Sequence, residues 1–205
     1  MPVALELPTD AQVFLGRLTH LDRSAVVRLR PLATGRTALW ARLPWRTLVT
    51  REVLLSVPAD VTVAAAPLLA GAGPEPRDHD WRWPLPPART AVTEEIPAGR
   101  IRRVANAAAS TLKQVTQTGV AGRPVGVRMV REALLDHIAI TVESEGVRLD
   151  VPQRLIQAVV RMGFLGPDES PVHVLRADRW VGLAARFGTA WLPPPAGPLT
   201  LLPRR

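Results

Sequence analysis

Between Gly71 and Pro97 the chain holds Gly71, Gly73, Pro74, Pro76, Pro84, Pro86, Pro87 and Pro97. Each proline removes a backbone donor and fixes φ, and each glycine raises the entropic cost of order. Regular structure is therefore expected before and after this stretch rather than through it. The boundaries that follow are 1–70 for a helix with an antiparallel sheet and 71–97 for a connector or ordered loop. A helical α+β portion spans 98–192, and a proline-rich extended tail covers 193–205. The connector also contains Trp81 and Trp83, and two indoles are costly to leave in water. It is predicted to pack onto a folded surface.

The first segment changes period as it proceeds. Thr9 is the expected cap of a helix carrying Val13, Phe14, Leu18 and Leu21 at helical spacing. From Ala25 the period becomes two: Val27 and Leu29 point one way, Arg28 and Arg30 the other. Ala33 to Arg36 reads as a turn and Thr37 to Leu43 as the returning strand. Strands at Thr47 to Ser56 and Val61 to Val63 complete a meander.

The second segment opens with the longest helical pattern, 97–118. Ile101, Val104, Ala105, Ala108, Leu112 and Val115 share one face. A break over 119–126 and a helix over 127–138 come next. A hairpin then turns at Ser144 to Gly146, and Asp150 with Gln153 has the spacing of a capping box for a third helix. Val172 to Leu175 and Trp180 to Phe187 are predicted to form the last strand pair. The fold class is α+β: an N-terminal helix plus antiparallel meander, a Pro-rich connector, and a three-helix, two-hairpin portion packed together. No repeat of fixed period is visible.

Composition narrows the chemistry. Absence of cysteine excludes disulfides, thiolate metal sites and cysteine nucleophiles. No Walker, Rossmann or Gly-x-Ser-x-Gly pattern occurs, so neither a cofactor nor a catalytic residue is expected. His20, His79-Asp80 and Asp136 follow the order of a His…His-Asp…Asp metal set. However, His79-Asp80 lies in the loop, where no helix can hold ligands, and no metal site is expected. His137 shares a helical face with Val130, Ala133 and Leu134 and is predicted to be a buried core residue. Pro84 to Arg89 has the spacing of a polyproline ligand, a coincidence that 21 prolines make unremarkable. Apolar runs are too short to span a membrane, and no leader pattern is visible at the N-terminus, so a cytoplasmic location is expected.

The formal charge of +8 points toward anionic partners. Of the 26 basic residues only Lys113 is lysine, and Asn106 is the sole asparagine. That pattern fits the codon bias of a high-GC bacterial genome, which inflates arginine and weakens charge as a functional signal. The polar face of the 97–118 helix nevertheless gathers Arg100, Arg103, Asn106, Lys113, Gln114 and Gln117, the residue types that meet phosphates and purine edges. Nucleic-acid binding through the basic C-terminal half is thus the second expectation. The first is a non-enzymatic interaction or regulatory protein, and an enzyme without a recognisable motif is the third. Trp180 and Trp191 are expected in the core or, if partly exposed, as anchors of a homodimer or a protein partner.

Overall fold

The computed structural model describes residues 5–73, 75–118, 127–144 and 146–195. The break expected over 119–126, Glu145 of the hairpin turn and most of the tail lie outside them. The fold is α+β. Helix α1 (Thr9–Leu21) buries Ala11, Phe14, Leu15 and Leu18, and it starts after Pro8 without a side-chain cap. Thr9, the expected cap, is instead its first helical residue. The meander follows as β1 (Val26–Pro31), β2 (Thr37–Arg42), β3 (Leu48–Val53) and β4 (Val61–Ala64). Gly35 makes the β1–β2 turn at φ 75°, where a Cβ would be strained. A short helix α2 (Ala65–Leu69) closes this part.

Ala91–Pro97, read from sequence as the end of the loop, is strand β5. It lies at the sheet edge, where terminal prolines leave no ladder partner unsatisfied. Helices α3 (Ala98–Thr118) and α4 (Val127–Asp136) lead into the hairpin β6 (Ile138–Ser144) and β7 (Val147–Pro152). Helix α5 (Gln153–Arg161) then precedes β8 (Pro171–Ala177), β9 (Trp180–Ala185) and β10 (Gly188–Leu192). Asp150 caps nothing. It sits in β7, where Thr141 and Arg148 donate to its carboxylate and hold its pKa below the ordinary value. The last strand pair is in fact a three-stranded meander, because the chain reverses after Ala185.

Eight strands form one antiparallel sheet in the order β4-β1-β2-β3-β10-β9-β8-β5. The seam is β3 against β10, with Thr50 opposite Thr189 and Leu48 opposite Trp191. Two units meet there, α1-β1-β2-β3 and α5-β8-β9-β10, each a helix followed by a three-strand meander. This duplication is one of architecture; no repeating residue pattern announces it. On one face, Phe14 of α1 and Phe164 after α5 stack with ring centroids 6.3 Å apart.

The opposite face carries a second apolar cluster of Leu48, Leu175, Ala177, Trp180 and Trp191. The connector covers it with Trp81, Trp83 and Leu85. The Trp81 indole donates to the Trp83 carbonyl at 2.8 Å, and Arg42 lies 4.9 Å over the Trp83 ring. Upstream, the Asp78 carboxylate accepts from the Thr62 amide at 2.6 Å. Trp180 and Trp191 are consequently only 7% and 5% exposed. Arg82 and Arg89 are exposed tryptic sites within this strap. Trypsin is expected to cut there slowly in the native chain, and roughly tenfold or more faster once Trp81 and Trp83 are both alanine. Equal rates in the two proteins would show that the indoles do not hold the strap.

Candidate functional site

Helix α5 is the most strongly two-sided helix of the chain. Leu155, Ile156, Ala158 and Val159 are buried in the core. Gln153, Gln157 and Arg161, four residues apart, form a stripe that lines a cleft of about 650 Å³. Helix α3 contributes Ala108, Ala109, Leu112, Lys113 and Thr116, and α4 contributes Arg131, Glu132, Leu134 and Leu135. Leu21 at the end of α1 and Pro44-Trp45 from the β2–β3 turn complete the walls.

Trp45 is locked in place. Its indole donates to the Arg154 carbonyl at 3.1 Å, and Arg154 returns a bond to the Trp45 carbonyl at 3.0 Å. Arg154 also pairs with Asp136 at the end of α4. Burial lowers the Arg154 pKa; Glu132 opposes this and Arg46 adds to it. The start of α5 is tied to α4 by the Gln153 amide, which donates to the His137 carbonyl at 2.8 Å. Gln153 is 3% exposed, and its side-chain Nε2 has no hydrogen-bond partner among the described residues. Buried amides are normally paired, so an unpaired one lining a cleft is a chemical asymmetry. Among the described residues the lining carries three cations, Lys113, Arg131 and Arg161, against the single acid Glu132.

Arg100, Arg103, Asn106, Lys113, Gln114 and Gln117 all lie exposed on α3, whose segment holds no acidic residue. Arg102, between them, is engaged with Asp168 and the Gly166 carbonyl. Arg100, Arg103 and Lys113 form no ion pair among the described residues. Lys113 also lines the cleft. The histidines do not converge: His79 pairs with Asp80 at 3.4 Å, His20 borders a shallower hollow with Arg17 and Arg161, and Asp136 belongs to Arg154. Among the described residues, no group of three or more His, Asp or Glu could hold a metal. His137 is exposed, contrary to its expected burial. The His137 amide still donates to the Ala133 carbonyl at 3.1 Å and so continues the last turn of α4, but the face it shares with Ala133 is not the covered one: Ala133 is exposed and Leu134 half-buried, while Leu135 is buried.

The cleft residues of α5 escaped the sequence reading. Their signal was available as Gln153, Gln157 and Arg161 at intervals of four on a helix whose other residues, Arg154 apart, are apolar. Trp45 had no comparable signal, since its place depends on a turn docking against a helix 109 residues later.

Residues 85–197 match the family model described as "Domain of unknown function (DUF8185)". Residues 6–92 match a second, described as "Domain of unknown function (DUF8010)". No curated protein matches the chain. Among solved structures, two from Pseudomonas aeruginosa are similar. The DNA polymerase III subunit beta has 12% identity and a TM-score of 0.52, over 90% of this chain and 61% of that one. The DNA polymerase sliding clamp with ligand has 12% identity and a TM-score of 0.53, over 95% and 66%. The sliding clamp of Caulobacter crescentus is 11% identical with a TM-score of 0.50, over 95% and 65%. The chain thus spans less than two thirds of the length of these clamps. At such identities the likeness is one of fold alone.

Proposed function

Because this chain belongs to the family described as "Domain of unknown function (DUF8185)", its role has to be read from its own surfaces, and we propose that it is a non-enzymatic interaction protein that takes its ligand in the cleft between α3, α4 and α5. The observation that carries this reading is the cleft itself. Its volume of about 650 Å³ lies in the range of small-molecule sites, and its walls are apolar with a few placed polar groups. A lone carboxylate, Glu132, stands among its cations, which suits binding better than paired acid–base work. The similar solved structures are a polymerase subunit and sliding clamps, and a part played within an assembly accords with the same reading.

Ala109 is exposed at the cleft wall, so Ala109→Trp obstructs the space without disturbing the core. A heteronuclear NMR screen of small organic compounds against the full chain is expected to yield binders that shift Leu112, Leu134 and Trp45. Those shifts should vanish in the folded Ala109→Trp variant. Binders that map elsewhere, or that ignore the substitution, would defeat the proposal.

The exposed outer face of α3 favours a second reading, nucleic-acid binding through Arg100, Arg103, Asn106, Lys113, Gln114 and Gln117. Phosphate contacts release counterions, so affinity should fall steeply with salt. Arg103→Ala and Lys113→Ala should each flatten the log–log slope by about one unit. No association with duplex or single strands at low salt would end this reading.

A further inference from the structure

Resting on the cleft as a binding site, we infer that its ligand is an amphipathic organic acid whose carboxylate meets the basic rim and whose neutral hydrogen-bonding group, at the far end of an apolar body, meets Gln153. Charge sets the sign. Lys113, Arg131 and Arg161 outnumber Glu132, so the field over the opening attracts anions. Arg161 is exposed, whereas Gln153 is buried. A carboxylate keeps part of its hydration beside Arg161 and would lose it at the floor, where only a neutral amide receives it.

Gln153 imposes the second requirement. Its Nε2 is buried at the first turn of α5 and has no partner among the described residues, so it is a donor awaiting an acceptor. An amide presents both a donor and an acceptor, and a hydroxyl can answer either. Between the two ends, Leu21, Trp45, Leu112, Leu134 and Leu135 offer apolar contact, with Gln157 the polar side chain of α5 along the way. Eight residues separate Gln153 from Arg161, a rise of about 12 Å along the helix. An extended ten-carbon chain with a polar atom at each end has this length.

The test uses four ten-carbon probes: 10-hydroxydecanoate, decanoate, decane-1,10-diol and 10-aminodecan-1-ol. Calorimetric titration of the full chain, below micellar concentrations, is expected to show 10-hydroxydecanoate binding one to one. It should bind roughly fivefold more tightly than decanoate or the diol, the order of one hydrogen bond or one exposed charge contact, with the amino alcohol weakest. Arg161→Glu should abolish the preference for acid over diol. Gln153→Leu should reverse the preference for hydroxydecanoate over decanoate, while its melting curve reports that it is folded. Diol and acid of equal affinity, both lost in Ala109→Trp, would overturn the acid while leaving the cleft a binding site. Acid binding that survives Ala109→Trp would overturn the cleft as well.

Discussion

Replacing Phe164 by alanine is expected to destabilise the fold by about 3–5 kcal/mol, the range for a fully buried aromatic. Phe164 is fully buried, stacks on Phe14 of α1 and accepts from the Phe187 amide at 3.0 Å through its own carbonyl. A Cβ placed on Gly188 would come within 2.7 Å of its ring and of the Thr50 carbonyl. The ring therefore lies beneath the β3–β10 seam and joins α1, the end of α5 and the central strands. Urea unfolding of Phe164→Ala measures the loss. Phe187→Ala serves as the control: that ring is 39% exposed and should cost under about 1 kcal/mol. Similar midpoints for the two variants would mean that the seam does not depend on Phe164.

The second large effect is on the other face of the sheet. Trp191 lies opposite Gly182, whose missing side chain makes room for it, since a Cβ there would approach the indole to 2.6 Å. Trp191→Ala is expected to cost about 3–5 kcal/mol by opening a cavity under the connector. Gly182→Ala should cost about 1–3 kcal/mol by overpacking. In the Trp191→Ala background the same added methyl enters vacated space, so its penalty should disappear. A double-mutant cycle by chemical unfolding is then expected to give a coupling of about 0.5–3 kcal/mol. Additive costs would show that the two residues do not share this space.

Local chemistry made much of the fold legible from the chain alone. The period-two alternation of Val27, Arg28, Leu29 and Arg30 specifies a strand with one wet face, and β1 is that strand. The apolar stripe from Ile101 to Val115 specifies α3, because its spacing has no other regular solution. Arg100, Arg103, Asn106, Lys113, Gln114 and Gln117 could likewise be assigned to one exposed face of that helix from the chain alone. The apolar content of the connector foretold its docking, since Trp81 and Trp83 needed cover.

Long-range pairing was beyond such rules. Nothing within β3 or β10 states that strands some 140 residues apart will share a seam; strand edges are generic backbone donors and acceptors, and the pairing goes with a core shared by both units, in which Phe14 stacks on Phe164. The burial of Gln153 and the exposure of His137 were likewise set by which surfaces tertiary packing covers: Gln153 lies beneath the walls of the cleft, whereas the α4 face of Ala133 and His137 is left open. Composition and periodicity determined most of the elements, the wet faces and the absence of thiol chemistry in this protein, while β5 and β10 are strands only through their pairing in the sheet. The cleft, with its apolar walls and unpaired amide, exists only because tertiary contacts bring α3, α4, α5 and Trp45 together.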